Sequence, residues 1–474
     1  MMGVRSLFRR RLCPAILSLC LSAAVLAAQN QAKLGPDASA KVDEITSKVL
    51  AATGVPSASV AVAKDGAVVY VQAYGDARLD PKTAAAPTMR YSIGSISKQF
   101  TAAAVLMLQE KGKLSLDDKV SKWVPGLTRG NEVSIRQLLS HTSGYQDYAP
   151  QDYMIPDWEQ PISPQQIMDR WAKIPLDFDP GTKWQYSNTN FVIAGLIVEK
   201  AGGNPLFELL QERVLTPLQM TSATNTEIRK LPASDPSGYF RYALGPLRPA
   251  PKEGPGWMYA AGELAMTAED LAKWDISVMK QSVLKPASYR EMETEVLLKN
   301  GAGTRYGLGV SVFNQNGHRW LEHGGEVSGF TAENIILPDD WIAVAVLTNQ
   351  DAVGAAAQIG REIVSLLVKG QSAQDPKRDA LVRKTFDDLG QGKIDRSQFT
   401  GNANAYFTEQ ALADYASSIG SLGEPTRFDS TSVSLRGGMV HRGYTVSYPQ
   451  KTLQINIYEM PDGKFEQFLI SAVE

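Results

Sequence analysis

A serine and a lysine one helical turn apart precede an apolar stretch of this chain. Ser95 and Lys98 belong to the segment YSIGSISKQF, and the apolar run continues through residues 100–108. Residues three apart lie on the same face of a helix, so the two side chains would meet. A serine becomes a nucleophile when a base takes its proton, and a lysine is a base only when burial lowers its pKa. The pair therefore predicts acyl transfer through Ser95, with a helix cap beside a solvated lysine as the alternative.

The Ser-x-x-Lys spacing is not specific by itself, because it recurs from Ser277 to Lys280 and from Ser282 to Lys285. Two other hydrolase designs are missing from the sequence. No serine has a glycine both two residues before and two residues after it, which excludes the nucleophile elbow of α/β-hydrolases. The four histidines form no paired zinc motif. The context of Ser95 favours a nucleophile, since Gly94 lets the backbone turn and the serine falls at the predicted start of a helix.

Two further motifs follow Ser95 in the sequence. Tyr186 and Asn188 lie in FDPGTKWQYSNTNF, and of the 17 tyrosines only Tyr186 is followed two residues later by asparagine. This segment also begins a predicted helix. Much later, LEHGGEVSGF places His323, Gly324 and Gly325 at the end of one predicted strand and before the next. The sequence therefore contains three motifs in a defined order. The first two lie where a predicted helix begins, and the third lies between two predicted strands.

In this order the motifs resemble the serine β-lactamase and penicillin-binding protein superfamily. The similarity is to the branch that holds class C β-lactamases, D-alanyl-D-alanine carboxypeptidases, D-aminopeptidases and related esterases. It covers about residues 38–368, and the connecting segments LLSHTSGY, TPLQMTSAT, AAGELAMTAEDLAKW and YGLGVSVF fit as well. The resemblance implies an α+β fold, in which an antiparallel sheet of the β-lactamase/transpeptidase type is flanked by helices.

The resemblance also implies a role for each motif residue. Ser95 is the acylating nucleophile, and Lys98 and Tyr186 share the work of the general base, because a tyrosine near an ammonium ionises more easily. Asn188 holds Lys98 and binds the substrate carbonyl. The backbone N–H groups of Ser95 and Glu326 form the oxyanion hole. No metal ion and no organic cofactor is implied.

The third motif bears on the choice of substrate. Relatives specialised for β-lactams usually carry Lys-Thr-Gly there, which helps bind the substrate carboxylate, whereas His323, Gly324 and Gly325 offer a mostly neutral imidazole and no hydroxyl. Glu326 would repel an anion if its side chain faced the cleft. We therefore expect a peptidase or esterase acting on D-amino-acid peptides, small esters or amides. A true class C-like β-lactamase and a catalytically silent wall-peptide binding or sensor protein are the alternatives.

The loop GYQDYAPQDYMIPDW is rich in aromatic residues and proline. Tyr148, with Tyr145 and Tyr153, could form a stacking wall for the substrate, or the loop could be a lid packed for stability. His141, which lies just before this loop, is expected to have a structural role, because the mechanism already has its nucleophile and bases.

The elements that must position these residues can be read from hydrophobic periodicity. Residues 58–77 predict two strands that turn at Asp65-Gly66, and a helical pattern starts at Ser95 and ends at Gly112. Strands return near Tyr306. Strands at both ends of this region and helices between them predict an antiparallel sheet whose first and last strands meet.

Composition divides the chain into three parts. Residues 1–28 have the arginines, the apolar segment and the small residues of a signal peptide, with an uncleaved anchor helix as the alternative, and both cysteines lie within this segment. Residues 29–369 form the predicted serine hydrolase domain. Residues 370–474 begin with a polar linker and form a predicted small α+β accessory domain. The mature protein is therefore expected in the periplasm or secreted.

The formal charge of −2, with both signs scattered along the chain, gives no electrostatic footprint for nucleic acid or an anionic membrane surface. The expected partner is a small-molecule or peptide substrate, with no nucleic acid and, after signal cleavage, no membrane. The sequence leaves the oligomeric state open.

Overall fold

The computed structural model describes residues 33–151, 153–368, 376–436 and 439–472. The predicted signal peptide and both cysteines lie outside the described residues. Within the described ranges, no helix has the length and apolar character needed to cross a bilayer.

A seven-stranded antiparallel sheet forms the centre of the larger domain. With strands numbered along the whole chain, it contains β1 (Ser57–Lys64), β2 (Ala67–Leu79), β3 (Lys82–Ala84), β9 (Ser311–Gln315), β10 (His318–Val327), β11 (Phe330–Leu337) and β12 (Ile342–Thr348). The order across the sheet is β3-β2-β1-β12-β11-β10-β9. Strand β1 pairs with β12 from Ala58↔Thr348 to Lys64↔Ile342, so the predicted meeting of the first and last strands is confirmed.

Strands β1 and β12, at the centre of the sheet, are mostly apolar because the sheet is covered on both faces. On one face lie helices α1 (Pro36–Thr53) and α10 (Ala355–Leu367), which pack on each other and on the sheet. The other face is covered by the remaining helices of this domain. They are α2 (Ser97–Glu110), α3 (Val120–Trp123), α4 (Ile135–Leu139), α5 (Pro164–Trp171), α6 (Asn188–Gly202), α7 (Leu206–Leu210), α8 (Ala268–Lys280) and α9 (Pro286–Met292).

Helix α2 is the central helix of this second layer. Every residue from Ser97 to Leu108 is buried, so the helix is surrounded by protein on all sides. Short strands complete the domain beside it: β4 (Tyr91–Ser92), β5 (Thr224–Asn225), β6 (Tyr239–Phe240), β7 (Arg248–Pro249) and β8 (Leu264–Met266). Because the residues just before α2 pack on β10 and β11, its first turn lies in the interior. The predicted α+β fold with helices flanking an antiparallel sheet is confirmed.

The C-terminal module has its own sheet and its own core. Helices α11 (Pro376–Gly390), α12 (Gly401–Tyr406) and α13 (Glu409–Ile419) precede strands β13 (Arg427–Arg436), β14 (Met439–Ser447), β15 (Thr452–Glu459) and β16 (Phe465–Ala472). The four strands pair antiparallel in sequence order. The core joins aromatic and aliphatic side chains of the helices and the sheet, among them Phe386, Phe407 and Ile455. The predicted junction at residues 369 and 370 falls outside the described residues.

Candidate active site

The turn that carries Ser95 is shaped by a close backbone contact. Gly94 to Ile96 form a 3₁₀ turn that leads directly into α2, and Gly94 has a left-handed φ of 51°. A Cβ at Gly94 would lie 2.6 Å from the amide nitrogen of Glu326 in β10, so glycine is required both by conformation and by space. The backbone of β10 therefore runs directly beside the serine, and Ser95 lines the large cavity of the domain.

Lys98 is fully buried one turn after Ser95. Its Nζ donates to Ser95 Oγ at 2.9 Å, to Asn188 Oδ1 at 2.7 Å and to the Ala261 carbonyl oxygen at 2.8 Å. These three acceptors match the three donors of an ammonium group. Burial nevertheless lowers the pKa of Lys98 to about 7, and the charge of Asp147 opposes this shift. A neutral amine within reach of Ser95 Oγ is therefore available near pH 7, and the solvated lysine of the alternative interpretation is absent.

Tyr186 lies on the other side of Ser95. Its buried hydroxyl is hydrogen-bonded to Ser95, and the centre of its ring is 5.0 Å from Lys98 Nζ. Burial raises the pKa of Tyr186 above its usual value, and the carboxylate of Asp147 raises it further. Burial of the phenol and the charge of Asp147 therefore oppose the ionisation of Tyr186 that the sequence analysis expected from the nearby lysine. Tyr186 is therefore a protonated group that can donate.

Asn188 connects Lys98 to a carboxylate that the sequence analysis did not single out. Asn188 is the first residue of α6, and its Nδ2 donates to Asp147 Oδ1 at 3.1 Å while its backbone N–H donates to the same oxygen at 2.9 Å. Asp147 also accepts from the Ala149 N–H at 3.1 Å. A carboxylate among the aromatic residues and prolines of GYQDYAP was the available signal for this residue.

His323 is buried and neutral. Its Nδ1 lies 2.6 Å from the Gly324 carbonyl oxygen and must donate to it, so Nε2 accepts from the Tyr306 hydroxyl at 2.8 Å. Burial first, and the charge of Lys98 second, lower the pKa of His323 to about 4. The imidazole lines the cavity near Ser95 without carrying a positive charge at neutral pH. Tyr306, which donates to this imidazole, was also missed in the sequence analysis.

The glycines after His323 bring two backbone N–H groups together. A Cβ at Gly325 would lie 1.9 Å from the Ile93 carbonyl oxygen and 3.3 Å from the Ser95 nitrogen. Together with the contact between Gly94 and the Glu326 nitrogen, this places the backbone nitrogens of Ser95 and Glu326 near each other, and both residues line the cavity. The pairing of β10 with β9 ends at Glu322, so among the described strands this part of β10 pairs with β11 alone.

The side chain of Glu326 points away from His323. Successive side chains of a strand alternate between its faces, so Glu326 shares a face with Glu322, which is bonded to Arg361 of α10. The carboxylate of Glu326 accepts from the Ala352 N–H at 2.8 Å, just before α10. The Glu326 carboxylate therefore does not repel anionic substrates from the face of β10 that carries His323.

His141 lies behind the site in a ring of aromatic side chains. Its ring centre is 4.3 Å from that of Tyr186 and 4.9 Å from that of Tyr306. His141 Nδ1 accepts from the Ser187 N–H at 3.2 Å, and burial holds its pKa well below the usual value. His141 thus supports Tyr186 as a neutral packing residue, in line with the structural role that we expected.

The cavity in front of Ser95 has a volume of about 860 Å³ and an aromatic wall. Tyr148 lines it, but the Tyr148 hydroxyl donates to the Trp257 carbonyl oxygen and the ring packs against Trp171 and Trp257. The loop is therefore both a packed cluster and a wall. Tyr153 also lines the cavity, with 69% of its surface exposed. The expectation for Tyr145 was wrong, because its ring lies in the main core and its hydroxyl donates to Thr128.

The charges along the cavity wall have one sign. The described residues that line it include no arginine and no lysine. The acidic residues among them are Asp147, Glu253, Glu326, Glu333 and Asp351. Burial raises the pKa of Asp147, Glu253, Glu333 and Asp351, so the wall carries less negative charge than the number of carboxyl groups suggests. With no basic side chain, it still offers no positive charge to an anionic ligand.

Comparison with known proteins gives a family and relatives for the larger domain. A family model described as Beta-lactamase matches residues 42–368. Penicillin-binding protein 4* of Bacillus subtilis (strain 168) is 27% identical over 344 residues, which cover 69% of this chain and 75% of the relative. D-aminopeptidase of Brucella anthropi is 28% identical and covers 66% of this chain. The match spans only 59% of the length of that longer relative.

Solved structures extend the comparison to the fold. The D-stereospecific amidohydrolase from Streptomyces sp. matches with a TM-score of 0.60 and 28% identity, over 70% of this chain and 98% of that one. The octameric penicillin-binding protein homologue from Pyrococcus abyssi matches with a TM-score of 0.61 and 22% identity, over 92% of this chain and 96% of that one. The second likeness therefore includes most of the C-terminal module.

Proposed function

Because the chain belongs to the Beta-lactamase family and is a serine hydrolase of that fold, we propose that it is an exported acyl hydrolase that acts on D-amino-acid peptides, small esters or amides through a covalent acyl-enzyme. One observation carries the proposal: the buried Lys98, with its pKa lowered to about 7, has its Nζ 2.9 Å from Ser95 Oγ. Export rests on the signal-peptide pattern of residues 1–28.

In the acylation step neutral Lys98 accepts the proton of Ser95, and Ser95 Oγ forms a bond to the substrate carbonyl carbon. The negative charge that develops on the carbonyl oxygen is stabilised by the N–H groups of Ser95 and Glu326. Tyr186 gives its proton to the leaving amine or alkoxide and regains one from Lys98. The net change is the transfer of the Ser95 proton to the leaving group.

Deacylation follows the reverse order with water. The base takes a proton from water, the hydroxyl attacks the acyl carbon, and the proton returns to Ser95 Oγ as the acid leaves. Asn188 holds Lys98 through its Oδ1 during both steps and lies at the cavity, where its amide can reach the acyl group. No step calls for a metal ion or cofactor.

The charge of the cavity supports the choice of substrate. A β-lactam carries a carboxylate, which a neutral His323 and a wall without lysine or arginine would not attract. An amide or ester of a D-amino acid with a free amine is neutral or cationic and needs no positive charge on the wall. Two relatives point the same way, since their names describe a D-aminopeptidase and a D-stereospecific amidohydrolase.

The proposal is tested by intact mass spectrometry after exposure to a fluorophosphonate and, separately, to a penicillin. We expect a fluorophosphonate adduct on the parent protein and none on Ser95→Ala. Turnover of D-alanyl p-nitroanilide and p-nitrophenyl acetate should exceed turnover of nitrocefin. A preference for nitrocefin by orders of magnitude would establish the β-lactamase alternative. A folded parent without any adduct would favour the binding-protein alternative.

A further inference from the structure

A carboxylate, an amide and an amine form a hydrogen-bonded chain that ends at Ser95. We propose that Asp147 is a positioning residue of this active site: its carboxylate holds the Asn188 amide in the orientation that presents Oδ1 to Lys98, and its charge sets the acidic limit of activity. This inference rests on the proposed acyl hydrolase function, with Lys98 as the base.

The orientation of the Asn188 amide follows from its two neighbours. A carboxylate can only accept hydrogen bonds and an ammonium can only donate them. Nδ2 of Asn188 therefore faces Asp147, at 3.1 Å and 3.3 Å from its two oxygens, and Oδ1 faces Lys98 Nζ at 2.7 Å. A flipped amide would set its NH₂ group against the ammonium and its oxygen against the carboxylate. Without Asp147, no carboxylate faces the Asn188 amide, and the interaction that opposes a flip is lost.

Asp147 is itself held in a fixed position relative to Asn188. Its loop is joined to the residues before α6 at several points. The Ser187 N–H donates to His141 Nδ1 at 3.2 Å, the Ser187 hydroxyl donates to the Gln146 carbonyl at 3.3 Å, and the Asn188 N–H donates to Asp147 itself. The loop cannot shift without breaking these bonds, so the carboxylate is a rigid reference for the amide.

The effect of Asp147 on the pH dependence is judged against the other titratable groups that face Lys98. They are Asp147 and His141 from the loop, Tyr186 before α6, and His323 from β10. Both histidines are held neutral and Tyr186 is protonated, so the negative charge that favours the ammonium form comes from Asp147. Burial lowers the pKa of Lys98 and the Asp147 carboxylate partly restores it. Asp147 is mostly buried, which raises its own pKa, while the bonds from Asn188 and Ala149 and the charge of Lys98 act in the opposite direction.

The sign of the expected pH effect follows from these charges. Lys98 acts as a base when it is neutral, so the rate rises as pH passes through its pKa. Asp147→Asn removes the charge that favours the ammonium form, so the pKa of Lys98 falls and the acidic limb of the rate profile moves to lower pH. The rate at the plateau falls at the same time, because an amide at position 147 can donate as well as accept and no longer fixes the orientation of the Asn188 amide.

The experiment compares pH profiles of kcat and kcat/KM for the parent, Asp147→Asn and Asp147→Glu with p-nitrophenyl acetate. For Asp147→Asn we expect kcat to fall by about 10- to 100-fold, the range typical of outer residues that orient reactive ligands at metal sites, and the acidic limb to move to lower pH. Asp147→Glu keeps the carboxylate, so its acidic limb should lie closer to the parental position than that of Asp147→Asn. Asp351→Asn is the matched control, since Asp351 lines the same cavity and accepts from the Gly329 N–H at 2.8 Å; its acidic limb should stay in place.

A double-mutant cycle separates positioning from a general loss of structure. If Asp147 acts through Asn188, adding Asp147→Asn to Asn188→Ala lowers kcat no further, while the shift of the limb persists because it is electrostatic. An unmoved limb in Asp147→Asn, or kcat losses that simply add, would overturn the inference. Failure of the proposed function is distinct, because then the parent itself forms no fluorophosphonate adduct.

Discussion

The two domains bury different kinds of side chain. The interior of the larger domain holds charged and polar residues such as Lys98, His323 and Glu333. The core of the C-terminal module is aromatic and aliphatic, and Thr385 is the one buried polar residue other than tyrosine in its described part. Burying a charge or an unpaired polar group costs free energy, which an apolar core avoids. The larger domain therefore holds the polar groups that chemistry needs, and the core of the module stabilises its own fold.

The strongest test of this comparison is loss of the nucleophile. Ser95→Ala removes the atom that becomes acylated, so we expect kcat/KM with p-nitrophenyl acetate to fall by about 10⁵-fold or more. Thermal unfolding should confirm that the variant is folded, since Ser95 is only partly buried. Substantial residual turnover would place the chemistry elsewhere in the molecule.

Lys98→Met removes the buried amine while keeping a side chain of similar length. We expect a loss of kcat of about 10²- to 10⁴-fold, because the general base is gone. The pKa of Lys98 is lowered to about 7 in the folded protein, against 10.5 for a free lysine, so the unfolded chain binds more protons between these values. The stability of the parent relative to Lys98→Met therefore rises with pH from about 7 toward 10.5.

The change is measured as the difference in Tm between parent and variant at a series of pH values. Lys384→Met, at an exposed lysine of the C-terminal module that pairs with Asp388, serves as the control. The control difference should not rise with pH in that window. A flat difference for Lys98→Met would mean that Lys98 is not held as a neutral amine.

A matched pair of tyrosines compares the two interiors directly. The Tyr306 hydroxyl donates to His323 Nε2 at 2.8 Å, and the Tyr444 hydroxyl donates to Asp379 Oδ1 at 2.9 Å. Replacing either tyrosine by phenylalanine should cost about 0.5–1.5 kcal/mol of unfolding free energy, as measured by urea unfolding. Only Tyr306→Phe should also lower kcat/KM, because it releases His323 at the cavity. An equal kinetic loss in Tyr444→Phe would show that the module takes part in the site.

The smallest kinetic effect is expected from removal of the module. We expect a chain that ends at residue 369 to turn over p-nitrophenyl acetate at a rate close to that of the parent, because no group of the proposed mechanism lies beyond Glu326. If the module restricts the cleft, its removal will change the turnover of larger peptide substrates. If it helps two copies of the chain to pair, the mass of the assembly measured by light scattering will change. Unchanged stability, kinetics and assembly would eliminate the accessory role.

Much of the fold and the central pair of the site could be predicted from the sequence. Helical spacing placed Ser95 and Lys98 on one face, and strand patterns at both ends predicted the meeting of β1 and β12. These signals are local, since periodicity depends on near neighbours in the chain. The missed residues Asp147 and Tyr306 have hydrogen-bond partners 41 and 17 residues away, and hydrophobic periodicity does not mark them.

The sequence by itself determined the order of the motifs, the family to which they belong and the spacing that brings Ser95 to Lys98. The tertiary structure alone decided the protonation of the site. Lys98 is a base because α2 is surrounded by protein, and Tyr186 stays protonated because burial raises its pKa. The direction of Glu326 was decided by its place in β10. Burial and long-range partners set these properties, and both exist only once the chain has folded.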